Sequence, residues 1–248
     1  MHAYKKTIET IKQKQNSISV IDVGCARCSF INEFLINYFN KDAIKSIGID
    51  PLQHNGIYNA LYNYNIYIKG CVDNIPKGTI KQQTFYVNLI DQASSLLKIK
   101  TENFSSDMSK YNESYYYPQD IIDKLSIITN EIDVTVYNLN DIIDKHYNTD
   151  EIIDFIKIDA EGKDLDIVKS IVDNMYRIKY IAVECSSHKN ENLEIFENGS
   201  NYKDVISFFT EHNFEIYDIT DYSLEHNNYT QMTDIVFINT KLKRYKNI

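Results

Sequence analysis

The chain has 248 residues, 43% of them hydrophobic, and a formal net charge of −9. That length and apolar content suit one α/β domain with a sizeable core, and the acidic balance argues against a duplex nucleic-acid partner, which selects for a basic footprint. The N-terminus (MHAYKKTIETIKQKQNS) is too polar for a secretory signal, no apolar run reaches the roughly 20 residues of a membrane span, and four Cys do not make a disulfide framework, so a soluble, cytoplasmic protein is expected.

In chain order, Tyr4 to Lys14 carries Ile8 and Ile11 at helical spacing and predicts a leading helix. Ile18 to Val23 is a short β-branched run, read as a buried strand ending at Asp22-Val23-Gly24. Phe30, Phe34, Leu35 and Tyr38 then fall at helical spacing and predict a helix directly after the turn. Strand, glycine turn and helix make the phosphate- or nucleotide-binding entry of an open α/β sheet. Gly24 permits the turn, and free N–H groups at the helix start can receive an anionic group. A second strand runs from Ala43 to Asp50 and stops at Pro51; a helix over 57–63 and a third strand over 66–72 follow. This β-α-β-α-β order demands a parallel sheet with right-handed crossovers.

The texture then changes. Residues 78–88 alternate apolar and polar, the pattern of an antiparallel strand. Residues 98–130 are polar and Tyr-rich (Tyr111, Tyr115, Tyr116, Tyr117) and read as an insertion or lid within a single domain spanning 1–248. A strand over 131–138 and a short helix over 139–147 lead to a fourth core strand, Asp154 to Asp159. Gly162 turns the chain into a helix marked by Leu165, Val168, Ile171 and Val172. A fifth strand over 179–185, an amphipathic helix over 202–212 and two strands over 214–219 and 234–239 complete the chain. The loop joining the last two has no room for a helix, so they are expected to pair antiparallel.

Ligands of such sheets bind beyond the carboxyl ends of the strands, where the strand order reverses. Those ends carry Asp22 with Gly24, Asp50, Asp159 with Glu161, and Glu184. One Asp closing a strand is commonly a helix cap or turn residue; the four together describe an acidic rim. Asp50, ending the second strand, can accept both hydroxyls of a ribose. Two nucleoside cofactors fit that role. NAD needs G-x-G-x-x-G, and the corresponding positions here are Gly24, Ala26 and Ser29, so Ala26 crowds the pyrophosphate. S-adenosyl-L-methionine has no phosphate and offers cationic groups to Asp22 and the acidic rim.

Residues 154–166, DFIKIDAEGKDLD, are more specific. Lys157, Ile158, Asp159, Glu161 and Gly162 resemble the K-I-D-x-E-G signature of the FkbM family of S-adenosylmethionine-dependent methyltransferases. Val20 to Gly24 is similar to the family's D-x-G loop, Ala93 to Leu97 to its Ser-Ser-Leu segment, Asn138 to Ile143 to the lead-in before the fourth strand, and Ile181 to Cys185 to its Glu-ending strand. The resemblance covers roughly residues 20–239. It implies a class I methyltransferase (Rossmann-like) fold: a mostly parallel seven-stranded sheet with an antiparallel C-terminal pair and helices on both faces. It also implies O-methylation of a hydroxyl on a sugar, glycan or small metabolite. Cofactor contacts are expected at Asp22, Gly24, Cys25, Asp50, Asp73 and Ser95. The family pattern D-x-G-x-N-x-G has Asn and Gly where this chain has Ala26 and Cys28, so Cys28 is expected to place a side chain where the cofactor passes.

A sugar hydroxyl is a weak acid and needs a base during in-line methyl displacement. Asp159 and Glu161 are the candidates, with Lys157 on the same strand face to orient Asp159. His188, beyond the fifth strand, is a third. Asp159 and Glu184 could also offer oxygens to a hard divalent ion, although no resident metal is predicted. Three other readings compete. Cys25-x-x-Cys28 at a helix start reads as a redox pair. With Cys71 and Cys185 it reads as a four-Cys zinc cluster, although the spacing matches no paired knuckle. A non-catalytic binding protein would keep the same architecture.

Overall fold

Strands buried at every position build the centre of the sheet. The computed structural model describes residues 4–53, 59, 63–99, 124, 126–186, 196–220 and 232–244. Among them the strands are β1 (Ile18–Val23), β2 (Ile44–Asp50), β3 (Ile66–Lys69), β4 (Cys71–Val72), β5 (Ile80–Asn88), β6 (Ile128–Tyr137), β7 (Ile153–Ile158), β8 (Ile178–Ser186), β9 (Phe214–Thr220) and β10 (Met232–Asn239). The helices are α1 (Lys5–Lys14), α2 (Leu139–His146), α3 (Asp164–Lys169), α4 (Tyr202–Glu211) and α5 (Thr240–Arg244). β1 and β7 are buried throughout, as strands covered on both faces must be.

The main sheet has seven strands in the order β3-β2-β1-β7-β8-β10-β9. The first five are parallel, and β10 runs antiparallel to both β8 and β9. The expected class I methyltransferase architecture is therefore present. The chain moves outward from β1 to β3 and returns to the other side of β1 at β7. The crevice for a ligand thus lies at the carboxyl ends of β1 and β7.

Alternation along each strand divides the core into two layers. Ile21, Val23, Ile156 and Ile158 pack with Leu139, Ile143, Val168, Val205 and Phe209, residues of α2, α3 and α4. Val20, Phe155, Tyr180 and Val236 face Ile8 and Ile11 of α1 and the 30–39 segment. Asn138 caps α2 by accepting from Asn140 N–H, and Asn201 caps α4 by accepting from Lys203 and Asp204. No described helix is long and apolar enough to cross a membrane.

The structure corrects three expectations. The segment after β1 is no α-helix: Phe30–Phe34 forms one wide π-helical turn and Leu35–Asn37 a 3-10 turn. No side-chain cap holds its start, and its aromatic and β-branched residues are weak helix formers. Ring packing governs instead, with Phe30 at 5.6 Å from Phe155, 5.7 Å from Tyr4 and 6.0 Å from Phe34. In the turn before it, Gly24 and Cys25 N–H both donate to Ile49 O, at 3.0 and 3.3 Å. Second, the predicted strand over 66–72 divides at Gly70. A Cβ there would lie 2.5 Å from Thr135 O and 2.9 Å from the Tyr137 ring. The chain presses against β6 and changes sheets, giving a three-stranded sheet in the order β4-β6-β5. Third, that sheet takes more of the expected insertion than its sequence suggests, because β6 begins at Ile128. Residues 100–123, with Tyr111 and Tyr115 to Tyr117, lie outside the described residues, as does most of the helix expected over 57–63.

Candidate active site

A cavity of about 330 Å³ opens at the carboxyl ends of β1, β2, β7 and β8. Of the residues expected to bind cofactor or to catalyse, Asp22, Gly24, Cys25, Asp50, Lys157, Asp159 and Glu161 all line it. Gly24 sets its floor. The residue is at φ +70°, and a Cβ would sit 1.7 Å from Asp159 O. Only glycine lets the end of β1 pass so close to the end of β7.

Asp50 closes β2 and is held by its own backbone surroundings. Ala26 N–H donates to Oδ2 at 2.9 Å and Leu52 N–H to Oδ1 at 2.8 Å. Burial outweighs these two bonds and pushes the carboxyl up to about 6.

Asp22 is 1% exposed and is fixed from two sides. Tyr64 donates its hydroxyl to Oδ2 in a short hydrogen bond. Lys157 Nζ lies 3.3 Å from Oδ1, an ion pair without hydrogen-bond alignment, and 3.0 Å from Asp159 Oδ2. Burial opposes the charge on Lys157, but Asp159 and Asp22 prevail and push its pKa up, so it stays cationic. Burial raises Asp22, and Lys157 and Tyr64 pull it back only in part.

Opposite stands a carboxylate wall. Oxygens of Asp159, Glu161 and Glu184 lie within 4.8 Å of one another. Burial, reinforced by Asp159, pushes Glu161 and Glu184 well above the ordinary carboxylate range. Glu184 Oε2 is buried with no hydrogen-bond partner among the described residues. Such a cluster could hold a hard divalent ion with water filling the remaining positions.

The family profile of the methyltransferase FkbM domain matches residues 20–216. The chain belongs to the FkbM methyltransferase family. No curated protein matches the sequence. Among solved structures, M. capricolum TrmK in complex with S-adenosyl-homocysteine is 12% identical; the alignment covers 96% of this chain and 70% of that one, with a TM-score of 0.39. The small RNA methyltransferase HEN1 is 10% identical, with 95% and 25% covered and a TM-score of 0.37. Likenesses that distant add nothing to the family assignment.

In this FkbM domain the K-I-D-x-E-G segment spans the end of β7 and the turn into α3. Glu161 occupies that turn at φ +52°. Asp164 steadies it, accepting from Ala160 N–H at 3.3 Å and Gly162 N–H at 3.2 Å. Ser95 does not line the cavity: its hydroxyl donates to Glu161 O at 2.8 Å and buttresses the turn from behind. Asp73 is also absent from the lining and pairs with Lys163 at 3.0 Å. His188 lies outside the described residues.

Cys28 does not crowd the site. It is fully buried, takes the glycine-like φ of +59°, and packs in the core with Val20, Ile31 and Tyr64. No cysteine joins a potential metal cluster among the described residues, so the four-Cys zinc reading falls. Tyr64 escaped sequence reasoning. Its one signal was Gly48 inside a strand, a position where something presses close.

Proposed function

We propose that this FkbM-family protein is an S-adenosyl-L-methionine-dependent O-methyltransferase acting on a hydroxyl of a sugar, glycan or small metabolite. The observation that carries this reading is the pairing of Asp50 and Gly24 at the switch point with the Asp159–Glu161–Glu184 wall across one cavity. The residues fit the cofactor. Each oxygen of Asp50 accepts one backbone N–H and keeps a lone pair for a ribose hydroxyl. Gly24, whose Cβ position is taken by Asp159 O, holds the ends of β1 and β7 together beneath the cavity. The wall is built of three carboxyl groups, and the cofactor supplies an electrophilic methyl group.

The chain's own residues hold the acceptor and take its proton. Lys157, clamped between Asp22 and Asp159, fixes the orientation of Asp159. Glu161 and Glu184 bind their protons more tightly than ordinary carboxylates and so are stronger bases once ionised. Incubation with tritiated cofactor and a panel of sugars and hydroxylated metabolites tests the reading. Alkali-stable label on an acceptor oxygen is expected; label confined to amines or to nucleic acid would contradict it.

A further inference from the structure

Methyl transfer uses neither thiol of Cys25-Ala26-Arg27-Cys28, yet the two are arranged for chemistry of their own. Cys28 N–H donates to Cys25 O at 2.7 Å. Such a four-residue turn keeps the end Cα atoms within about 7 Å, close to the span of a disulfide. Neither cysteine is in a disulfide among the described residues, and both are buried. Both belong to one core cluster, and of the two only Cys25 also lines the cavity. Cys71 and Cys185 lie on β4 and β8.

We propose that Cys25 and Cys28 form a peroxide-oxidisable dithiol whose disulfide lowers the affinity of the cavity for its cofactor. The consequence for binding rests on the cofactor reading above; the sulfur chemistry does not. Peroxide entering through the cavity meets Cys25. Burial holds the Cys25 thiol protonated, so it reacts through its minor thiolate form: the sulfur takes one peroxide oxygen to give a sulfenic acid, and water leaves. The Cys28 sulfur then attacks the Cys25 sulfur, the S–O bond breaks and a second water departs. Two thiols and hydrogen peroxide thus yield one disulfide and two waters, with peroxide as the two-electron acceptor.

Closing the sulfurs to about 2.05 Å tightens the turn between them. Gly24 cannot yield, because it already lies against Asp159 O. The movable part is the peptide at Ala26, whose N–H holds Asp50 Oδ2 at 2.9 Å. Rotating that peptide withdraws the donor from Asp50 and reshapes the cavity wall. A ligand filling the cavity shields Cys25 and slows the oxidation.

The test treats the reduced full-length chain with hydrogen peroxide, with and without saturating S-adenosylhomocysteine. Trypsin cuts after Arg27, between the two cysteines, so a Cys25–Cys28 disulfide joins two tryptic peptides and is read by mass spectrometry. The expected result is that linkage, slowed by S-adenosylhomocysteine. Calorimetric affinity for S-adenosylhomocysteine should fall about tenfold or more and return on reduction with dithiothreitol. Cys28→Ala should bind as the reduced protein does and ignore peroxide; if it does not fold, the native-chain comparison decides. No linkage between residues 25 and 28, or a linkage with unchanged affinity, overturns the proposal. If even the reduced chain fails to bind, the cofactor reading and the proposed consequence fall together, while the peptide linkage still reports on the dithiol.

Discussion

Tyr64 reaches Asp22 by crossing β2 above Gly48, the residue that pairs with Asp22 in the β1–β2 register. A Cβ on Gly48 would lie 2.6 Å from the Tyr64 ring. The bare strand position is what lets a phenol from one side of β2 serve a carboxylate on the other. Through Asp22 the contact extends to Lys157 and Asp159.

Tyr64→Phe removes a donor from a buried carboxylate and should destabilise the fold by about 1.5–3 kcal/mol, the range for hydrogen bonds to charged groups. Gly48→Ala displaces the ring and breaks the same bond. The double variant should therefore cost less than the sum of the singles in urea unfolding, since both act on one contact. Additive losses would show that Gly48 and Tyr64 act separately.

Asp50 has a carboxyl pushed up to about 6 by burial. Its charged form is the better acceptor for ribose hydroxyls, so affinity for S-adenosylhomocysteine should rise as pH climbs through about 6. Asp50→Asn should flatten that rise and weaken binding roughly ten- to hundredfold, the equivalent of one or two lost charged hydrogen bonds. Calorimetric titration across the range checks both; an unchanged pH profile in the variant would count against Asp50 as the titrating group.

Stability should move the other way with pH. Asp164 is pushed up from 3.8 to about 8, first by burial and then by Asp159, and Asp234 up from 3.8 to about 6, also chiefly by burial. Between the ordinary carboxylate value and these raised ones, the folded state binds more protons than the unfolded state, so stability falls as pH rises. The window runs from 3.8 to about 8. Calorimetry should give a higher Tm at its acidic side than near its upper end, and Asp164→Asn should reduce the slope. A Tm that climbs steadily across the window would refute the assignment.

Gly24→Ala would force a Cβ to 1.7 Å from Asp159 O, a backbone atom that cannot swing aside. With the left-handed φ of +70° added, the variant should lose more than about 3 kcal/mol of stability and bind no cofactor. Near-native urea unfolding would mean that the β1 and β7 ends can part freely.

The central strands were legible because burial on both faces leaves short runs rich in β-branched residues, as in Ile18 to Val23 and Ile153 to Ile158. The cavity was legible for a related reason. Asp22, Asp50 and Asp159 each close such a run, and parallel strands bring those ends to one edge. What stayed hidden depends on partners distant in the chain. The π-helical turn at Phe30 follows from ring packing on Phe155, which spacing along the chain does not encode. The break at Gly70 needs Thr135 to be in place, and Asp73 faces Lys163 because the turn leading into α3 carries that lysine to it.

Calorimetric titration with S-adenosylhomocysteine, alongside NADH, tests most directly whether the crevice between β1 and β7 is a methyl-donor site. Saturable one-to-one heat with S-adenosylhomocysteine, weakened about tenfold or more in Asp50→Ala and absent with NADH, is the expected result. Silence toward S-adenosylhomocysteine by heat and thermal shift, or a response to NADH in its place, would contradict it.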